Sequence, residues 1–139
     1  MAKYLVMVRG SQADYEAMAG HGSAGSPVWD KTQLTAMFAH MNAVTEDVSA
    51  RGELVDAQGL AAPSTTRFVT VDGDGQPVIT DGPYAETKEV LAGYWLLDCA
   101  SLDRVTEIAA EVARCPVPAG SPEYPVVIRP VDEVGPTQD

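Results

Sequence analysis

DGPYAETKEVLAGYWLLD, residues 81–98, is the stretch that decides the predicted fold. It opens with Asp81-Gly82-Pro83, which is typical of a turn, because Asp bonds nearby backbone, Gly accepts a positive φ and Pro fixes φ. Three charged residues and a threonine follow at positions 86–89. The run VLAGYWLLDC is then too short to cross a membrane and is rich in branched and aromatic residues, so it predicts a strand over residues 90–99.

Both faces of this predicted strand are mostly apolar. The odd positions place Leu91, Trp95 and Leu97 on one face, and the even positions place Tyr94 and Leu96 on the other. A half-solvated antiparallel strand would instead alternate apolar and polar residues. The strand is therefore expected to be covered on both sides.

The flanking sequence supplies the other elements. A helix is predicted from the N-cap Asp30, with Gln33 as its capping-box partner, to the break at Gly52. A second helix follows the N-cap Ser101 and spans residues 102–114. Strands are predicted at residues 3–9, 53–60 and 124–131, with a hairpin at 67–71 and 76–80 because Asp-Gly joins its arms. Residues 10–30 read mostly as a loop insertion, and the tail from residue 132 reads as flexible.

The order of these elements predicts the fold class. Apart from the inserted hairpin it is strand, helix, strand, strand, helix, strand, which is the order of a ferredoxin-like split βαβ sheet. We therefore expect a single α+β domain over residues 1–139. Two helices cover only one face of such a sheet, so a second copy of the sheet is expected to cover the other face in a homodimer.

Composition and charge exclude several classes of protein. The 20 acidic and 9 basic residues give a formal net charge of −11, which does not suit a nucleic-acid partner or an anionic membrane surface. The two cysteines form neither a disulfide framework nor a metal-ligand pattern, so we expect no metal and no cofactor. The apolar run near the N-terminus is too short for a signal peptide, and we expect a cytoplasmic protein with no membrane partner.

The segment DGPYAETKE resembles the DGPFAETKE signature of the DGPF subgroup of YCII-related proteins, with Tyr84 in place of the usual Phe. The segments KYLVMV, VTEDVSARGELVDAQGL and VVIRPV resemble the same pattern, so the resemblance covers nearly the whole chain apart from residues 10–30 and the tail. It implies a dimeric α+β barrel. Family members are frequently encoded beside sigma factors of the extracytoplasmic-function type, which implies a regulatory role.

Asp81 and His40 are the candidate catalytic residues. Asp81 lies at a strand junction, where its carboxylate would either cap the turn or shuttle a proton beside a cleft. His40 lies on the flank of the predicted helix, where it would be a bonded structural histidine or a site residue. The resemblance implies the second role, since the broader family often has a helix histidine proposed as part of a His–Asp pair.

Arg67, Glu86 and Lys88 are the candidate ligand-binding residues. An arginine on a strand must find a carboxylate or a ligand anion. Glu86 and Lys88 would form either a solvated ion-paired segment or the rim of a ligand site. The resemblance implies a pocket near these positions.

Two functions are left open. The first is a small-molecule-binding or regulatory module linked to sigma-factor-type regulation, which is favoured because the sequence contains no complete catalytic constellation. The second is a cofactor-free enzyme that performs acid–base chemistry on a small polar substrate with Asp81 and His40. In that alternative Arg67 and Lys88 neutralise developing negative charge.

Overall fold

A computed structural model describes residues 2–133 of the 139-residue chain. Within that range a short 3₁₀ turn at Pro63–Thr65 accompanies the regular elements. In chain order these are β1 (Ala2–Gly10), α1 (Gln12–Met18), α2 (Lys31–Ala50), β2 (Leu54–Gly59), β3 (Arg67–Val71), β4 (Pro77–Asp81), β5 (Val90–Cys99), α3 (Leu102–Ala113) and β6 (Val127–Pro130).

The main sheet is antiparallel, and its strands lie in the order β2-β5-β1-β6. This confirms the predicted α+β class and is consistent with a ferredoxin-like fold. The strand predicted over residues 90–99 is β5, which has the expected bounds and lies between β2 and β1. Alternate residues of β5 from Gly93 to Cys99 are buried on one face of the sheet.

The two long helices begin where the sequence predicted. Asp30 accepts a hydrogen bond from the Gln33 N–H at 2.7 Å, and the Gln33 side chain accepts one from the Asp30 N–H at 2.9 Å, which completes a capping box before α2. The Ser101 hydroxyl likewise accepts from the N–H of Arg104 before α3. Gly52, at a φ of 71°, follows α2 as expected.

Both long helices pack on the same face of the sheet. Trp95 and Leu97 of β5 join Val6 of β1 in a buried core. The helices contribute Val44, Val48, Val105, Ile108, Ala109 and Val112 to this core. Because side chains alternate along a strand, Tyr94 and Leu96 lie on the face that α2 and α3 leave uncovered. No helix within residues 2–133 has the length and apolar character needed to span a bilayer.

The alternation along β5 breaks near its start. The register pairs Val8 with Gly93 but Arg9 with Leu91, so Ala92 is an extra residue in a β-bulge. The predicted placement of Leu91 on the face of Trp95 is therefore wrong. Leu91 instead pairs with Arg9 and is exposed, because the bulge reverses the parity on which the prediction relied.

The segment of residues 10–30 contains a helix that the sequence analysis missed. The helix α1 begins after Ser11, and only the residues after Met18 are irregular. The last strand, β6, starts three residues later than predicted, at Val127, which pairs with Met7; Pro125 before it has no N–H to donate to the ladder. Residues 134–139 of the predicted tail lie outside the described range.

The inserted hairpin is confirmed, and it forms a separate two-stranded sheet. β3 and β4 pair with each other from Arg67 opposite Asp81 to Val71 opposite Pro77, and all of their residues are exposed. A proline is tolerated in β4 because that strand is at an edge. The exposed apolar residues of the hairpin include Val69 and Ile79, which form a cross-strand pair.

Candidate functional site

A large cleft of about 1180 Å³ opens between α2, the helix-covered face of the sheet and the segments that flank α1 and β6. Met37, Phe38 and Met41 contribute the wall on α2, and Val8 and Trp95 contribute the floor on the sheet. Further apolar lining comes from Tyr15, Met18, Trp29, Val117 and Val126, among others. A cleft of this size and apolar character is typical of a small-molecule site.

Asp14 is the polar centre of the cleft wall. Its Oδ2 accepts hydrogen bonds from the Tyr124 hydroxyl at 2.7 Å and from the Ser11 N–H at 2.9 Å. Its Oδ1 accepts from the Ser26 hydroxyl at 2.8 Å. The carboxylate therefore joins the start of α1, the loop after α1 and the segment before β6. Ser11 and Ser26 are both buried, so the donors are held in place.

These hydrogen bonds favour the ionised form of Asp14. Burial works against ionisation, but the donors from Ser11, Tyr124 and Ser26 outweigh it and hold the pKa of Asp14 below its ordinary value. Burial and the bond to Asp14 together raise the pKa of Tyr124 to about 12. At neutral pH the pair is thus a carboxylate and a neutral phenol. The phenol is a fixed donor, and the carboxylate is a fixed negative charge.

The predicted turn and charge segment supports α1 through its backbone. The carbonyl of Glu86 accepts a hydrogen bond from the Ala13 N–H at 2.9 Å. On the same side, Gln12 accepts from the Ser64 N–H at 2.8 Å, and the Tyr15 hydroxyl donates to the carbonyl of Leu60 at 2.9 Å. These contacts fix α1 against the end of the sheet and so position Asp14 on the cleft wall.

Asp81 and Arg67, two of the predicted site residues, meet each other. The guanidinium of Arg67 donates to both carboxylate oxygens of Asp81, at 2.7 and 3.2 Å, across the base of the hairpin. Their side chains are 58 and 63 % exposed. An exposed pair of this kind contributes little stability, about 0–1 kcal/mol. Of the two predicted partners for Arg67, a carboxylate of the protein or a ligand anion, this contact is the first.

Glu86 and Lys88 are exposed on the segment between the hairpin and β5. The hydrogen bond that the Glu86 carboxyl donates to the neighbouring Glu16 carboxylate, and the like charge of that group, raise the pKa of Glu86. The hydrogen bonds that Glu16 accepts from Glu86 and from Gln12 lower the pKa of Glu16. The two carboxyls form a proton-sharing pair on the outside of α1 and do not reach the cleft lining.

His40 lies on the other side of α2 from the cleft. Its Nε2 donates to the carbonyl oxygen of Glu111 at 2.6 Å, in the last turn of α3. It lines a smaller groove of about 450 Å³ between α2 and α3. The charged groups there already pair with one another, as Arg114 does with Glu111 at 2.9 Å and Arg104 does with Glu107 at 3.3 Å. That groove therefore offers few free charges to a ligand.

The structure brings together only one pair of the five predicted site residues, Arg67 and Asp81. None of the five is among the residues that line the large cleft. Sequence reasoning instead missed Asp14, Ser26 and Tyr124. One signal was available for Asp14, since Ser11-Gln-Ala-Asp14 has the spacing of a capping box at a helix start.

The two cysteines differ in access. Cys115 is half-buried on the cleft wall, and burial raises the pKa of its thiol. Cys99 is buried in the core, where burial and the charge of Glu53 raise the pKa of its thiol to about 11. No group of three metal-ligating side chains occurs within residues 2–133.

Known proteins with similar sequences share most of the length of this chain. The sequence model of the YCII-related domain matches residues 2–127. An uncharacterized protein of Rhizobium meliloti (strain 1021) is 29 % identical over 109 residues, which covers 78 % of this chain and 87 % of that protein. The matched span includes every helix and most of the strands, so the similarity extends to the elements that line the cleft.

Proposed function

The chain belongs to the YCII-related domain family, and from that premise we propose that it is a small-molecule-binding module that works as a homodimer. The observation that supports this most directly is the large apolar cleft with a hydrogen-bonded carboxylate and phenol on its wall. An apolar body gains free energy from burial in such a cleft, while a few fixed polar groups set orientation.

The homodimer is the second part of the proposal. The uncovered face of the sheet has the apolar cross-strand pairs Leu5 with Leu96 and Met7 with Tyr94. Val127 extends this surface onto β6, where it pairs with Met7. Charged residues flank it: Lys3 pairs across the strands with Asp98, while Asp56 lies on the edge strand β2 and Arg129 on the edge strand β6. In the proposed dimer a two-fold axis relates the two uncovered faces, and the two sheets close a barrel.

A regulatory role follows from the resemblance to the DGPF subgroup. In this proposal the module acts in sigma-factor-type regulation, and the ligand in the cleft is the signal. The proposal assigns the Asp81–Arg67 pair and the segment of Glu86 and Lys88 to the support of the hairpin and α1. The reasons are the hydrogen bond from the Ala13 N–H of α1 to the Glu86 carbonyl and the Arg67–Asp81 pair across the base of the hairpin.

The alternative remains a cofactor-free enzyme with Asp81 and His40 as the acid–base pair. We rank it second because Asp81 is paired with Arg67 while His40 donates to Glu111 in the outer groove. A panel of small polar substrates, assayed with wild type, Asp81→Asn and His40→Ala, discriminates between the two functions. Turnover that both substitutions abolish would establish the enzyme, and turnover that neither lowers would remove these two residues from it.

Binding in the cleft is tested with N-phenyl-1-naphthylamine, an uncharged probe whose fluorescence rises in apolar surroundings. Phe38→Ala removes an apolar wall residue that is 55 % exposed, and Leu102→Ala removes one with the same exposure outside the cleft lining. We expect saturable binding by wild type and by Leu102→Ala, and weaker binding by Phe38→Ala. Failure of the wild-type protein to bind the probe, or equal losses in both variants, would refute the proposal.

A further inference from the structure

We infer that the cleft selects uncharged or cationic ligands with a flat apolar body and rejects anions of the same shape. This inference rests on the proposed function, because it concerns the chemistry of the ligand that the same cleft binds. It is drawn from the charges on the cleft wall and from the side chains that surround them.

The first observation is the absence of a counter-cation at Asp14. Its hydrogen-bond partners are a backbone N–H, a serine hydroxyl and a tyrosine hydroxyl, all of them neutral donors. Among residues 2–133 it forms no ion pair with a lysine, arginine or histidine. Neutral donors stabilise a carboxylate without cancelling its charge, so the wall keeps a negative potential.

The second observation concerns the other charged residues of the lining, Arg9 and Glu123. Arg9 is the cation, but its guanidinium is paired with the carboxylate of Glu89 at 3.4 Å. Glu123 adds a further negative charge at the exposed side of the cleft. The lining is therefore negative on balance, and the formal net charge of −11 on the whole chain acts in the same direction.

The third observation is the nature of the apolar wall. Three methionines, at positions 18, 37 and 41, line the cleft together with Trp29 and Phe38. Methionine side chains adapt to the shape of a ligand, and their sulfur atoms contact aromatic rings favourably. A flat aromatic body is the ligand shape that such a wall accommodates best.

Together these features set a penalty on anions. A negatively charged ligand loses hydration on entering the apolar cleft and meets a carboxylate instead of a cation. An uncharged ligand avoids both costs, and a cationic one gains from the carboxylate. The cleft is thus a selector of charge as well as of shape.

The test compares two probes that share one scaffold. N-phenyl-1-naphthylamine is uncharged, and 8-anilino-1-naphthalenesulfonate is the same molecule with a sulfonate added. We expect wild type to bind the uncharged probe about tenfold more tightly, a discrimination that screening by salt reduces. Equal or tighter binding of the sulfonate would overturn the inference and leave the proposed function standing. Binding of neither probe would refute both.

Two charge variants assign the effect to the cleft. Asp14→Asn and Glu123→Gln each remove a negative charge from the lining, whereas Glu46→Gln removes one from an exposed position outside it. We expect Asp14→Asn and Glu123→Gln to reduce the ratio between the affinities for the two probes. Glu46→Gln should leave that ratio unchanged. Glu123 is exposed, so its variant keeps the test decisive if Asp14→Asn fails to fold. Equal discrimination in all of the folded variants would overturn the inference.

The cysteines report where the probe binds. Cys115 lies on the cleft wall, and Cys99 is fully buried in the core, so N-ethylmaleimide is expected to react with Cys115 first. Bound N-phenyl-1-naphthylamine should slow that reaction, as followed by mass spectrometry of the labelled chain. Unchanged labelling of Cys115 at saturating probe would place the probe elsewhere and refute the assignment of the charge effect to this cleft.

Discussion

The hydroxyl of Tyr124 donates a hydrogen bond of 2.7 Å to Oδ2 of Asp14, although the two residues are 110 positions apart in the chain. This contact ties the first helix to the segment that precedes the last strand. It also couples stability to the site, because the same carboxylate that holds the two segments together sets the charge of the cleft. Changes at either residue should therefore be visible both in unfolding and in binding.

Tyr124→Phe is expected to lower the free energy of unfolding by about 1–2 kcal/mol. A hydrogen bond to a charged group contributes about 1.5–3 kcal/mol, and partial solvent access at this pair reduces that figure. Tyr84→Phe is the matched control, since the Tyr84 ring packs edge-on against Phe68 and its hydroxyl has no hydrogen bond in the described residues. Urea denaturation of both variants checks the prediction, and equal losses would contradict it.

Acid should weaken the fold partly through Asp14. Its folded-state pKa lies below the ordinary value of 3.8, so the unfolded chain takes up this proton first as the pH falls. The contribution of Asp14 is therefore complete above that value and is lost as the pH drops through the folded-state pKa. Asp14→Asn has no such proton to bind, so the stability gap between it and wild type should close in acid. A gap that stays constant would show that Asp14 is not the group responsible.

Alkali should act through the other member of the pair. The pKa of Tyr124 is raised from 10.0 to about 12, mainly by burial and then by Asp14, so the unfolded chain releases this proton at lower pH than the folded one. The contribution is complete below pH 10 and is lost as the pH rises towards about 12. The free energy of unfolding is measured against pH for wild type and for Tyr124→Phe. The difference between the two curves isolates the contribution of Tyr124 from those of the other tyrosines. A difference that stays constant from pH 10 to about 12 would exclude this contribution of Tyr124.

Local signals in the sequence were enough for most of the fold. The bounds of β5, the caps of α2 and α3 and the Asp-Gly hairpin all follow from residues close together in the chain. The bulge at Ala92 was hidden because an extra residue in one strand is defined only by its partner strand. The site was hidden for the same reason, since Asp14, Ser26 and Tyr124 meet only after folding. Asp81 and His40 were predicted as site residues from their residue types. Residue type does not reveal that Arg67 pairs with Asp81 or that His40 donates to Glu111.

Substitution of Asp81 or His40 should leave probe binding unchanged within about twofold, because distant sites without shared partners act independently. Neither residue lines the cleft, and each has its own partner elsewhere. Titration of Asp81→Asn and His40→Ala with N-phenyl-1-naphthylamine checks this, with Phe38→Ala as the variant expected to lose affinity. A large loss at Asp81 or His40 in a folded variant would bring those residues back into the ligand site.

The proposed homodimer has its sharpest test in two adjacent leucines of β5. Leu97 is 0 % exposed beneath the helices, whereas Leu96 lies on the uncovered face opposite Leu5. Leu97→Glu would bury an unpaired charge in the core, so this variant should fail to fold. Leu96→Glu would place the same charge in the dimer interface. It should yield a folded monomer, with the sedimentation mass falling from about 29 kDa to the 14.7 kDa of one chain. If Leu96→Glu remained a folded dimer, or wild type sedimented as one chain, the uncovered face would not be the interface.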